Sequence, residues 1–184
     1  MTIHVLGVDQ SKKMTGLCFG EFSDAGYLIG EKPIAWGSAR TNTPQLMKMA
    51  LRNFLEDEMY LPNVVAYEGA FLDLRKQEDG IKFQKRLEAG TAIYETGGIV
   101  QGIAVCLWPD TQLMRFTANE WRARVYEKGW HDLKGDDLKT HASLCAHGWG
   151  MRDYDEHAAE AAGIMFAGAK EYALLLAQRA AKAR

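Results

Sequence analysis

Residues 3–9, IHVLGVD, are a short apolar run that ends on an acid. A run of this length and composition reads as a buried β-strand, and it restricts the fold more than any other segment, because it must lie in a sheet that other elements cover. Residues 14–22 (MTGLCFGEF) read as a second strand, and a third is expected within 27–38, through Ile34, Ala35 and Trp36. The connections, Gln10 to Lys13 and Ser23 to Gly26, are short and polar or glycine-containing, so the three strands read as an antiparallel meander.

Helices and strands alternate after that. Thr43-Pro44 is a helix start, with Thr as N-cap and Pro in the first helical position. Leu46, Ala50 and Phe54 follow at helical spacing, flanked by Met47, Leu51 and Leu55, in a helix that ends before Pro62. Residues 63–68 (NVVAYE) are a short apolar strand that again ends on an acid. Residues 82–105 read as a helix, almost wholly apolar after Gly97-Gly98, and 111–116 as a further strand. The region 117–148 reads as helical with a polar break from Lys128 to Asp136, and a last, alanine-rich helix begins near Asp155. The order βββ-α-β-α-β-α-α describes a single mixed α/β domain over 1–184, with helices packed on one sheet.

Composition removes several classes. The chain has 184 residues, 47% apolar and 25% charged, the balance of an ordinary globular domain. It has no apolar run of about 18 residues, and MTIHVLGVDQ lacks a basic segment followed by a long apolar one, so neither a membrane span nor a signal peptide is expected. Cys18, Cys106 and Cys145 are odd in number and form no CxxC pair, which argues against a disulfide framework or a zinc site and fits a reducing cytoplasm. They read as small buried hydrophobes. The net charge of −2 is not that of a basic nucleic-acid binder, although an acidic catalytic cluster can mask a local basic face.

The chemistry lies in the acids. Asp9 and Glu68 each end an apolar strand, and carboxylates rigidly aimed from adjacent strands can share a divalent ion such as magnesium, which takes hard oxygen ligands. His157 and Glu160 are three residues apart, so they share one face of the last helix, whose other positions are mostly small or apolar. Metal ligation accounts for that pair, as does a buried hydrogen-bonded pair. Asp153 or Asp155 is a plausible N-cap, and Glu156 sits where the helix dipole favours an acid.

Three segments resemble the motifs of RuvC-type Holliday junction resolvases, within the ribonuclease-H-like superfamily. GVDQSKKMTGLCFG is similar to the first motif, a strand ending in Asp with a turn into a Thr-Gly strand. VVAYEGAF resembles the second, a strand ending in Glu with an aromatic three residues on. DEHAAEAAGI resembles the third, an acid or His followed three residues later by an acid and then small apolar residues. The resemblance covers roughly residues 2–170. It implies a ribonuclease-H-like fold, a mixed five-stranded sheet flanked by helices. It also implies metal-binding and catalytic roles for Asp9, Glu68, His157 and Glu160, where Glu160 stands at a position that is Asp in most members.

The implied reaction is Mg²⁺-dependent hydrolysis of DNA phosphodiesters at a four-way junction, with Mn²⁺ as a possible substitute. Two ions about 3.5–4 Å apart would clamp the scissile phosphate. Paired nicks in opposed strands of a two-fold symmetric junction imply a homodimer. In the family the helix after the second acid dimerises. Residues 90–105 fit, through Gly98, Gly102, Ile99, Ile103 and Val105, as they also fit an internal core helix. DNA contacts are expected from Phe71, which matches the family's aromatic, and from Arg75, Lys76, Lys82 and Lys85 in the segment after Glu68. Arg122 and Lys139 are the nearest matches to the family's basic residues near the site. The same cations also read as solvated surface, and Phe71 as core. A non-catalytic branched-DNA binder and a broader flap nuclease are the alternatives. An actin-like phosphotransferase would need a second Gly-rich loop and a second domain, which the chain lacks.

Overall fold

The computed structural model describes residues 1–11, 13–56, 61–69, 80–126 and 129–183, with the side chains of 56, 80–83, 85–87 and 89–90 outside the description. The elements run β1 (Thr2–Gln10), β2 (Met14–Ser23), β3 (Ala35–Arg40), α1 (Pro44–Glu56), β4 (Val64–Glu68), α2 (Gly80–Leu107), β5 (Gln112–Phe116), α3 (Ala118–Val125), a 3-10 turn (Trp130–Asp132), α4 (Asp136–Gly148) and α5 (Glu156–Lys182). The five strands form one sheet in the order β3-β2-β1-β4-β5. The meander β1-β2-β3 is antiparallel, whereas β4 lies parallel to β1 and β5 parallel to β4. Parallel neighbours need a crossover, and α1 and α2 supply the two required here.

The third strand takes in the expected Ala35 and Trp36 and runs on to Arg40, while residues 27–34 lie outside it. Gly26 and Gly30 take positive φ (79° and 95°), so the chain after β2 folds into tight turns. Ser23 N–H donates to Tyr27 O and Ile29 N–H to Glu21 O, both at 2.8 Å, and a lone Phe22↔Leu28 bridge stands in place of a ladder. Pro33, with no N–H to give, precedes the point where regular pairing resumes. The break between α3 and α4 falls where expected, with left-handed Gly129 at φ 104° and Gly135 at φ 53° turning the chain.

The central strand is buried on both faces. Ile3 and Val5 of β1 enter a core shared with α3, α4 and α5, while Leu6 and Val8 enter a second core shared with α1 and α2. On α2, Val100 and Ala104 are buried and Ile99 and Ile103 pack beside them, but Gly98, Gly102 and Val105 face outward. Among the described residues no helix is long and apolar enough to cross a membrane. None of the three cysteines forms a disulfide, and the buried-hydrophobe reading holds for Cys18 alone, since Cys106 is exposed and Cys145 half-buried.

Candidate active site

Strand periodicity decides which acids can meet. Side chains alternate between faces, so Ile3, Val5, Gly7 and Asp9 of β1 point toward α5, as do Val64, Ala66 and Glu68 of β4. The parallel register ends with Val8 beside Tyr67, so one residue further Asp9 and Glu68 stand side by side at the ends of the two strands' pairing. Asp9 is buried, with 8% of its surface exposed.

The first turn of α5 reaches this pair because β2 carries no side chain opposite Asp9. Gly16 is the cross-strand partner of Asp9, and a Cβ there would lie 1.9 Å from the His157 carbonyl oxygen. Asp155 starts the helix, accepting from Ala158 N–H at 2.9 Å and from the Ser38 hydroxyl of β3. Burial raises the Asp155 pKa, but these hydrogen bonds outweigh it, and the group sits below its ordinary value. His157 then donates from Nδ1 to Asp9 Oδ2 at 2.9 Å.

One turn on, Glu160 accepts from Arg122 at 3.1 Å in an ion pair whose side chains are 16% and 20% exposed. Glu68 accepts from the indole Nε1–H of fully buried Trp121 at 3.0 Å. Gln10 closes the floor by donating to the Glu68 carbonyl, while its own buried Oε1 has no partner among the described residues.

These groups interact as an acidic cluster. Burial pushes the Glu68 carboxyl up to about 7; the Trp121 hydrogen bond opposes this, and the charges of Asp9 and Glu160 add to it. Glu160 is raised by burial and by Asp9, with Arg122 pulling the other way. His157 is raised by its bond to Asp9, against burial.

As the side chains lie, no three of the described His, Cys, Asp and Glu residues stand close enough to hold an ion together. The donor set nevertheless suits a hard divalent cation. It offers three carboxylates whose charges converge, and an imidazole whose Nδ1–H is fixed by a carboxylate, which leaves Nε2 its lone pair. Each of the three observed tethers engages a single carboxylate oxygen.

The expected quartet of Asp9, Glu68, His157 and Glu160 is thus brought together at one end of the sheet. Arg122 is in the site, but paired with Glu160 and not turned to solvent. Lys139 stands at its rim, bound to Glu156 at 2.9 Å. Phe71, Arg75 and Lys76 lie outside the described residues. Lys82 and Lys85 fall on α2 with their side chains likewise outside. Trp121, Gln10 and Ser38 went unrecognised. For Trp121 a signal existed: Thr117-Ala-Asn-Glu120 is a capping box, in which Thr117 N–H donates to Glu120 at 2.7 Å, and it fixes where α3 starts and hence which way Trp121 faces.

No family model and no curated protein sequence matches the chain. Solved structures do. RuvC from Thermus thermophilus aligns with a TM-score of 0.57 at 18% identity, covering 94% of this chain and 96% of that one. The same protein in complex with a Holliday junction substrate aligns with a TM-score of 0.56 at 16% identity over the same shares. With the five-stranded mixed sheet, its strand order and its flanking helices, this chain has the RuvC-type version of the ribonuclease-H-like fold.

Proposed function

We propose that the chain is a magnesium-dependent, structure-selective DNA endonuclease that resolves four-way junctions by paired nicks in opposed strands. The observation that carries this reading is the convergence of Asp9, Glu68 and the His157–Glu160 pair at one end of the central strands. The likeness to a RuvC structure complexed with a Holliday junction substrate supports the choice of DNA.

Asp9, Glu68, His157 and Glu160 would hold the cations, two per site, with Mn²⁺ able to replace Mg²⁺. When bound, the ions supply charge neutralisation at the phosphodiester and an activated water. The protein supplies placement. Asp9 is fixed between the β1 backbone and the His157 ring, so its carboxylate does not have to be ordered during the reaction. His157 keeps its Nδ1–H on Asp9, which raises its pKa, and would present Nε2 to the cation only in its neutral form. Glu68, which burial holds up to about 7, would have to give up its proton to take a cation; Glu160 is raised in the same direction, by burial and by Asp9.

A homodimer would place two such sites against a two-fold symmetric junction, with the outward face of α2 as the contact. Phosphate and base contacts are assigned to Phe71, Arg75, Lys76, Lys82, Lys85 and Lys139, with Arg122 at the site itself. The deciding experiment incubates purified protein with a synthetic four-way junction and Mg²⁺. Symmetric 5′-phosphorylated nicks are expected from the wild type, and a loss of at least about 100-fold for Asp9→Asn. An Asp9→Asn protein that cuts like the wild type would overturn the reading. The Arg122–Glu160 ion pair favours a second one, a branched-DNA-binding protein with a weakened metal site, which predicts junction-selective binding without cleavage.

A further inference from the structure

Helix α3 presents two consecutive residues to two different carboxylates. Adjacent residues on a helix point about 100° apart, so one short helix can reach acids on separate elements. Trp121 turns its indole N–H to Glu68 at the end of β4, and Arg122 turns its guanidinium to Glu160 on α5. Both contacts are built. Trp121 is fully buried, and its ring lies on Gly163, one turn beyond Glu160, where a Cβ would come within 2.5 Å of the ring. The Arg122 guanidinium lies 4.9 Å from the Trp121 ring centre, and its buried Nε has no partner among the described residues. The hydrogen bond of the arginine thus goes to Glu160 and its face to the indole, while its charge also reaches Glu68 and Tyr126.

The two donors differ in kind. The indole is neutral: it orients the Glu68 carboxylate without offsetting its charge. The guanidinium carries a full positive charge that neutralises Glu160 and repels any cation approaching the cluster. On the reading of this site as a cation site, we infer that Trp121 and Arg122 are positioning residues with opposite effects: Trp121 aims Glu68 at the ion, and Arg122 occupies Glu160 and competes with the ion for it. This accounts for a cluster with the right donors in which no three of the described groups stand close enough to hold an ion together.

The test is calorimetric titration of Mn²⁺ into the metal-free full chain, without DNA. Trp121→Phe, which keeps the ring and removes the donor, is expected to weaken binding by roughly 10-fold or more, the usual consequence of losing a group that orients a metal ligand. Arg122→Gln, which keeps a donor and removes the charge, is expected to tighten it, whereas Arg122→Lys leaves it near the wild type. General damage to the site would weaken binding in both, so opposite signs are the signature. Any other pairing of signs, or a wild type that takes no Mn²⁺, overturns the inference.

Should Trp121→Phe not fold, Mg²⁺ titration of the wild type is followed through the Trp121 indole N–H resonance. A saturable shift is expected, and an indole indifferent to the ion overturns the assignment. Junction cleavage is a separate readout: a protein that binds Mn²⁺ with these signs yet cuts no DNA would defeat the nuclease reading and leave this one standing.

Discussion

Toward α1 and α2, the central strands contribute Leu6, Val8, Leu17, Phe19 and Val65, which meet Met47, Leu51, Leu55 and Val100 in a core filled by branched and long side chains. Toward α5 the same strands contribute Gly7, Gly16 and Asp9, and the helix answers with Ala158, Ala159, Ala161, Ala162 and Gly163. The first face keeps helix and sheet at ordinary distance with side chains. The second brings helix backbone onto sheet backbone, and only that approach puts His157 within hydrogen-bond reach of Asp9. The difference teaches that small residues on one face of a sheet can serve the site more directly than the core.

Leu51→Ala and Gly16→Val set the two faces against each other. Leu51→Ala empties a fully buried position and should cost about 3–4 kcal/mol by urea unfolding, while the folded fraction keeps its cleavage rate. Gly16→Val should cost about as much through overpacking and, in addition, should abolish the His157–Asp9 contact and with it cleavage. Equal loss of activity in both would erase the distinction.

The acid cluster makes a second contrast, measurable without DNA. The folded-state pKa of Glu68 stands at about 7 against 4.5 unfolded, so between those values the folded state binds more protons than the unfolded. Stability therefore falls as pH rises from 4.5 through 7, by up to about 3 kcal/mol for this group. Glu160 and His157, both raised, act with the same sign. Chemical denaturation of metal-free protein at pH 5 and pH 8 should show that slope. Glu68→Gln should flatten it, and Mg²⁺ should restore stability more at pH 8 than at pH 6. A flat profile in metal-free protein would mean that burial and its acidic neighbours do not hold Glu68 above its ordinary value.

A smaller effect is expected at the helix start. Asp155→Ala removes the cap on Ala158 N–H and the bond from Ser38, at about 1–2 kcal/mol. Because the Asp155 pKa is lowered in the folded state, its contribution is present above about pH 4 and is lost as pH falls. Smallest should be Lys139→Ala, which breaks an exposed ion pair with Glu156 and should leave the melting temperature unchanged. If Lys139 meets a phosphate, the slope of log affinity for junction DNA against log salt drops by about 1; an unchanged slope removes it from the DNA surface.

Much of the site was legible without coordinates. Asp9 and Glu68 each close an apolar strand, and the three-residue spacing of His157 and Glu160 fixes them on one helix face, because these are short-range consequences of strand and helix geometry. The third strand forms where Ala35 and Trp36 carry a strand-like pattern, whereas the turns before it were not legible, because the positive φ of Gly26 and Gly30 depends on how the hairpin closes on β2. The capping box at Thr117 marks where α3 starts, but which acids its residues meet was not legible. Trp121 reaches Glu68 across 53 residues and Arg122 reaches Glu160 across 38, distances over which local pattern carries no information.

By itself, then, the chain's pattern of apolar periods and turn residues determined the element order and the placement of Asp9, Glu68, His157 and Glu160 at strand ends and on one helix face, since each follows from interactions between near neighbours; the mixed sheet and the ligand roles were implied only by the resemblance. Tertiary structure alone decided that Gly16 clears a path for His157, that Arg122 is held by Glu160 and not left for solvent, and that Trp121 and Arg122 divide the two glutamates between them. Those outcomes depend on which backbones come into contact, and that is settled only when the sheet and α5 pack together.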